Sequence, residues 1–381
     1  MSDIKTQLRE ISVATTIGLL NQEISLKKEE LYNSEGFLKY AKNVISTDLS
    51  NVSELDINLL PTDELKKIID NGFQLGEKIY NHPHFKIKKS DSIFWLGNNN
   101  QRDDPRDIIV GDYGFSLKED SFILENMGLY KLVNCYTGSK YKRKHHIFKY
   151  YSFKEYDNWF RTTWIEMLKY LSNHSNIWTF DNTEKFYTSR IIVSIPKQIV
   201  YLQYLKKDQV LECQLPINCG VEEYERKTNK FIREKVFAKF INQVLCKNDA
   251  YNDSKKACVI TASKALAKEL NDNLNYHAGL PRFLGIHEIE YYYAKTTDNG
   301  VAIYKVPSID NFGNNIIIKS IIDSVPDTQA NILTTIKNNV SGKELTLRNE
   351  CRFSHGQFNG TPEAKLYYEN GGSLLTIYEP L

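Results

Sequence analysis

Residues 104–118, Asp-Pro-Arg-Asp-Ile-Ile-Val-Gly-Asp-Tyr-Gly-Phe-Ser-Leu-Lys, constrain the fold more than any other stretch of this chain. Two short runs, Asp107–Val110 and Phe115–Lys118, flank Gly111-Asp112-Tyr113-Gly114, a turn-forming quartet. Runs so short and so close together pair with each other, so a β-hairpin is expected. With the quartet as its loop, Val110 faces Phe115, Ile109 faces Ser116, Ile108 faces Leu117 and Asp107 faces Lys118. Residues directly opposite share one face of the sheet, with Cβ atoms roughly 5 Å apart. Asp107, Ser116 and Lys118 then crowd one polar site, while Ile108 and Leu117 point into a core.

The rest of the composition narrows the setting. A chain of 381 residues is two to three times an ordinary domain, which favours two packed lobes. Its 41% hydrophobic and 25% charged residues are the globular average and exclude wholesale disorder. The best apolar stretch, Ile316–Ile322, is broken by Lys319, so no membrane-spanning helix is expected. Met1–Glu10 is polar and lacks the apolar segment of a secretory signal. The cysteines at 135, 213, 219, 246, 258 and 351 are scattered without metal-site spacing. They read as reduced thiols of a cytoplasmic protein. A net charge of +2 does not by itself announce a nucleic-acid partner.

The first 80 residues read as helical. Leu65, Ile68, Ile69, Gly72, Phe73, Gly76 and Ile79 recur at three and four, and Thr62 or Asp63 is placed to cap that helix. Short strands follow at 92–96, 107–110 and 115–118, then an aromatic-rich helix over 158–171. The middle is mixed, with strands at 191–195 and 199–205 and helices over 228–245 and 261–274. The last hundred residues return to strands: a hairpin of 289–296 with 300–306 across Asp298-Asn299-Gly300, then 315–322 and 344–353. The expected class is α+β, with residues 1–185 holding the helical region and core sheet and 186–381 a mixed to β-rich region.

A carboxylate beside a lysine suits metal-assisted phosphodiester hydrolysis. The carboxylate holds Mg²⁺ against the phosphate while the ammonium orients water and offsets developing charge. A second carboxylate is needed, and Glu77, at the border of the helical apolar stripe, is the candidate. Asp107 with Ser116-Leu117-Lys118, preceded by a helix carrying Glu77, resembles the PD-(D/E)XK nuclease core of type II restriction endonucleases. It is most similar to the subset whose last motif reads Ser-x-Lys. The resemblance covers residues 62–135. Two positions depart from the family pattern: Arg106, rather than Pro105, immediately precedes Asp107, and Ser116 stands where an acidic ligand is usual. The resemblance implies a core sheet flanked by helices and catalytic roles for Asp107, Lys118, Ser116 and Glu77. It places Mg²⁺ on Asp107, Glu77 and the main-chain carbonyl of Leu117. It further implies double-stranded DNA as substrate, a homodimer to cut both strands, and a cognate DNA methyltransferase in the cell.

Two segments are candidates for DNA contact. Lys142, Arg143 and Lys144 sit in a basic run with interleaved aromatics that suits backbone phosphates. Arg348, Asn349, Arg352, His355, Gln357 and Asn359 carry the side chains that read base edges, arginine for guanine and asparagine or glutamine for adenine. A non-catalytic DNA-binding protein is the competing expectation. So is a nuclease of the same core without a fixed site.

Overall fold

The computed structural model describes residues 4–25, 28–50, 52, 57–97, 104–118, 129–138, 147–207, 209–297, 300–353, 356–359, 363–369 and 372–381. Helices α1 (Ile4–Asn21), α2 (Ser34–Val44) and α3 (Thr62–Tyr80) come first, followed by β1 (Ile93–Trp95), β2 (Ile108–Val110) and β3 (Tyr113–Lys118). Then come α4 (Leu129–Thr137), α5 (Ile147–Tyr151), α6 (Phe153–Ser172) and the strands β4 (Ile177–Asn182), β5 (Tyr187–Ser194), β6 (Ile199–Lys206) and β7 (Gln209–Pro216). Helix α7 (Val221–Lys227) leads into two π-helical runs, Ile232–Phe237 and Ile241–Leu245, and then α8 (Asp249–Asp272) and α9 (Leu280–Phe283). The chain ends in β8 (Tyr291–Thr297), β9 (Gly300–Val306), β10 (Ile316–Ser324), β11 (Ala330–Asn338), β12 (Glu344–Arg352), β13 (Glu363–Tyr368) and β14 (Glu379–Pro380). The class is α+β, as expected from the sequence.

Helix α1 is buried along nearly all of Gln7–Leu19, so it is an interior helix rather than an amphipathic surface one. Helix α3 lays its stripe of Leu65, Ile69, Gly72, Phe73, Gly76 and Ile79 against it. The glycines set the approach. A Cβ on Gly72 would stand 2.3 Å from Ser12 Cβ, and one on Gly76 2.7 Å from Thr16 Cβ. Ser12 and Thr16 return their hydroxyls to carbonyls one turn back at 2.6 and 2.7 Å, so the tight seam leaves neither unpaired. Pro61 occupies the N-cap of α3 without a side-chain bond, and Thr62 and Asp63 lie inside the helix rather than capping it. Asp63 and Glu64 instead put negative charge in the first turn, where the helix dipole favours it.

Among the described residues three sheets are formed. The first runs β1-β2-β3-β8-β9-β14, antiparallel throughout except that β3 and β8 are parallel. The second is the antiparallel meander β4-β5-β6-β7, packed on α6 and the π-helical runs. The third is β10-β11-β12-β13, backed by α8. The first sheet separates two cores. Tyr292 and Ala294 of β8 join Phe115, Leu117, Ile108 and the α1–α3 residues on one side. Tyr291 and Tyr293 join the large aromatic core of the middle and C-terminal segments on the other.

The expected boundary at residue 185 can be placed on this architecture. That point lies in the turn of the β4–β5 hairpin, where Asn182 pairs with Tyr187. The core sheet is not contained in 1–185 either, because β8, β9 and β14 complete it from the far end of the chain. A parallel neighbour requires a long crossover, so its strand has to arrive from elsewhere in the sequence.

Candidate active site

The 107–118 hairpin forms, with a tighter turn than expected. Val110 pairs with Tyr113, Ile109 with Gly114 and Ile108 with Phe115, so only Gly111 and Asp112 make the loop. Gly111 has φ of +55° and Asp112 does not share the positive sign, the pattern of a type II′ turn with glycine first. The pairing therefore slips by two residues from the four-residue-loop expectation. An even slip keeps every side chain on its expected face, because the strand period is two. Asp107 now lies level with Ser116 rather than with Lys118, and Phe115 rather than Leu117 faces Ile108.

Asp107 is held firmly. Its N–H donates to the Phe115 carbonyl at 2.8 Å, and its carbonyl accepts from the Leu96 N–H at 2.9 Å. Its Oδ2 accepts the Leu117 N–H at 2.6 Å and the Ser116 hydroxyl at 3.3 Å. Ser116 is buried and Leu117 is wholly inside the α1–α3 core, so the strand that carries them cannot drift. The structure thus brings Asp107, Ser116 and the Leu117 backbone together. Lys118 is the last residue of β3, its backbone opposite that of Lys295 of β8.

Two tyrosines close the buried side of this site. Burial raises the phenol pKa of Tyr291, and the Asp107 charge adds to it. Burial does the same for Tyr293, reinforced by Tyr368, Tyr291 and Asp107 and opposed by Arg9. Both phenols therefore stay neutral at physiological pH and add no negative charge beside Asp107. On the segment leading into β2, Arg106 clamps Asp104 through two bonds of 2.9 and 2.7 Å. That guanidinium holds the Asp104 carboxyl below its usual range, with His287 acting in the same sense. Arg106 lies over Gly114, where a Cβ would come within 2.2 Å of its Cδ.

Glu77 is not brought to this cluster by any contact among the described residues; it lies on the exposed side of α3. The seven-residue stripe buries its neighbours and leaves Glu77 facing outward. Helix α1 places another carboxylate beside β1. Glu10 is buried there and accepts the Trp95 indole N–H at 2.9 Å. Trp95 precedes Leu96, the residue bonded to Asp107. Arg9, next to Glu10, acts on the same Tyr293 hydroxyl that senses Asp107. Among the described residues, no group of three His, Cys, Asp or Glu side chains could by itself hold a metal ion.

The candidate DNA-reading residues are distributed differently. Asn349 is wholly buried in the third sheet and does not reach the surface, a correction to its expected role. On that strand alternate residues face inward, and position 349 falls in the inward series with Leu347 and Cys351. Arg348 and Arg352 face outward, but both hold the Glu350 carboxylate and both lie over the Tyr367 ring, at 4.7 and 5.7 Å. Arg348 also pairs with Glu369. Gln357 is half-buried and reaches Asn242 at 3.4 Å, and Asn359 is half-buried beside it. Between them Phe358 is a core residue, packed on Trp159 at 4.4 Å. His355 and the basic trio Lys142, Arg143 and Lys144 lie outside the described residues.

Comparisons with known protein families, curated proteins and solved structures find no match to this chain. Among the described residues no helix is long and apolar enough to cross a membrane.

Proposed function

We propose that the chain is a Mg²⁺-dependent endonuclease that hydrolyses double-stranded DNA at a specific site, in the manner of a type II restriction enzyme. The observation that carries the reading is Asp107 locked beside Ser116 and the Leu117 backbone on the strand whose last residue is Lys118. The polar site is built by a hairpin whose other face is anchored in a helical core, which gives the rigidity that catalytic positioning needs. A mixed sheet whose hairpin strand runs parallel to β8, with helices on the opposite face, agrees with a PD-(D/E)XK core.

In this mechanism the scissile phosphate lies at the open end of β3. Lys118 orients the attacking water and offsets charge on the phosphoryl oxygens. The water oxygen forms a bond to phosphorus as one ester P–O bond breaks, the water proton is lost to bulk base, and the leaving alkoxide takes up a proton. Asp107, the Leu117 carbonyl and either Glu10 or Glu77 are hard oxygen donors of the kind Mg²⁺ takes, usually as one or two carboxylates completed by water and substrate. When bound, the ion supplies positive charge against the phosphate and lowers the pKa of a coordinated water. Ser116 keeps the Asp107 carboxylate oriented. Cutting both strands of a symmetric site calls for two such centres, hence a homodimer, and a host methyltransferase to protect its own DNA.

The test is digestion of a sequenced plasmid by the purified protein with Mg²⁺, followed by mapping of the ends. Discrete fragments sharing one sequence at the cut support the reading. Binding without cleavage makes the protein a non-catalytic DNA binder, and ends at random positions remove the site specificity.

A further inference from the structure

The turn between β4 and β5 ends on an aromatic ring that faces solvent. Asn182 pairs with Tyr187, which leaves Thr183-Glu184-Lys185-Phe186 as the turn, and the Asn182 carboxamide oxygen accepts the Lys185 N–H at 2.7 Å. Phe186 closes that turn with φ of +52°, in the left-handed region that glycine or asparagine adopts at far smaller cost. Its ring is nonetheless 79% exposed, so no burial of apolar surface offsets the backbone cost. Tyr187 pairs in turn with Lys206, which brings the end of β6 and Lys207 beside the same turn. Phe186, Tyr187, Leu205, Lys206 and Lys207 line one shallow groove there, and Lys185, Lys206 and Lys207 are all exposed. Among the described residues this end also carries Glu184, which is exposed, and Asp181, which accepts the Thr188 hydroxyl at 2.6 Å. Behind the turn rings and lysine alternate again: Lys239 lies over Phe180 at 4.2 Å, and Phe180 lies 6.3 Å from Tyr187.

We propose that this end of the second sheet docks on duplex DNA, with Phe186 inserted as a wedge at one base step and Lys185, Lys206 and Lys207 on the flanking phosphates. An apolar ring held out among cations has the two parts that insertion needs. Its π-face takes the place of a neighbouring base, and the ammonium groups hold the backbone on either side. The rings behind it are already packed together, Tyr187 against Tyr204 at 5.1 Å and Tyr204 against Phe231 at 5.9 Å. The tip therefore offers one ring rather than the row on which successive unpaired bases stack, which favours a duplex over a single strand. A lipid surface rewards broad apolar area and unopposed cations, and Glu184 and Asp181 among the lysines disfavour it. This docking rests on the double-stranded DNA partner of the reading above and not on its chemistry.

The experiment uses the full chain with Mg²⁺ withheld and the tightest duplex that the protein selects from a randomised pool. That duplex carries 2-aminopurine at each position of one strand in turn. Wild-type protein is expected to raise the fluorescence at one base step, where stacking is broken. Phe186→Gly suits the φ of the turn and should keep or raise the thermal midpoint. It is expected to lose the fluorescence step and to weaken binding by about 10- to 100-fold, the range for loss of one base–aromatic stack. Phe186→Trp, with a larger stacking face, is expected to keep both. Lys206→Gln combined with Lys207→Gln should leave the step in place and lower the slope of log affinity against log salt by about two. Phe186→Gly binding within twofold of wild type, with the step intact, overturns the proposal. So does a wild-type protein that binds no duplex or prefers the single strand. Loss of binding to phosphatidylserine vesicles in Phe186→Gly, with duplex binding unchanged, overturns it too and makes the tip a membrane contact. Should Phe186→Gly fail to fold, Phe186→Asn is read by the same criteria. A duplex bound with this signature but left uncut when Mg²⁺ is added supports the docking and removes the nuclease reading alone.

Discussion

Asp107 already accepts two hydrogen bonds from its own hairpin, so its carboxylate is oriented before any ligand arrives. Asp107→Asn keeps the size of the side chain but removes the charge and turns one oxygen into a donor. It should abolish cleavage in a plasmid assay while the thermal midpoint stays close to wild type. Lys118→Ala should lose cleavage by at least a hundredfold, within the range for a residue that manages a proton or water, with duplex binding nearly intact. Nuclease activity within tenfold of wild type would remove Lys118 from the mechanism. The second carboxylate is decided by comparing Glu10→Gln with Glu77→Gln across Mg²⁺ concentration. The true ligand shows a raised Mg²⁺ requirement, and Glu77, being exposed, is expected to cut normally. Asp104 gives a pH test. Its folded pKa is depressed by Arg106, so its contribution is present above the unfolded value of about 3.9 and is lost as pH falls through the folded one. Asp104→Asn should therefore lower stability at neutral pH, with the difference from wild type closing below about pH 4 in urea titrations.

At the scale of elements, the α1–α3 seam is the most exacting. Gly72 and Gly76 let two helices meet at a distance that no larger residue permits, with Ser12 and Thr16 filling the groove opposite. Gly72→Leu forces the helices apart and should destabilise the protein by about 1–3 kcal/mol or more by urea unfolding. Because α1 carries Glu10 and Arg9, the same variant should also lower cleavage, and Gly72→Ala should show a smaller form of both effects. The outer face of β12 is a different case. Glu350 is only 10% exposed, and a carboxylate that buried needs its cations. Arg348 and Arg352 therefore already have a structural task, and reading bases would require one of them to swing away from Glu350. Competition binding with cognate and scrambled duplexes, metal withheld, separates the roles. If Arg352→Ala keeps the full specific-to-non-specific ratio while losing stability, the arginine serves Glu350 and recognition lies elsewhere.

For the whole molecule, the first sheet is a partition with a core on each side, and the candidate site lies where that sheet emerges from both. Its strands come from the beginning and the end of the chain, so the site depends on the entire fold rather than on an N-terminal domain. A fragment ending near residue 185 lacks β8 and β9, and with them Tyr291, Tyr293 and Lys295. Sedimentation of the intact chain with cognate duplex is expected to show two protein chains per DNA. A single chain bound and cutting one strand at a time would contradict the homodimer.

Much of this was legible locally. The apolar stripe of residues 65–79, the 291–306 hairpin and the polar face of 107–118 follow from periods of 3.6 and 2, which are properties of neighbouring residues. Period alone also protected the site from a wrong loop length, since a slip of two left Asp107 and Ser116 on the face they were expected to share. Other features had no local signature. Which strand lies beside β3 depends on a crossover through the middle of the chain, and nothing in Tyr291–Lys295 names Lys118 as its partner. Glu77 sits at the edge of its stripe and reads as a ligand by position, yet the direction in which α3 packs on α1 turns it outward. Glu10 reads as an ordinary charged residue near the N-terminus until the burial of α1 on both sides puts its carboxylate on Trp95. Sequence periodicity determines which face a residue takes within its own element; only the packing of elements distant in the chain decides what that face meets.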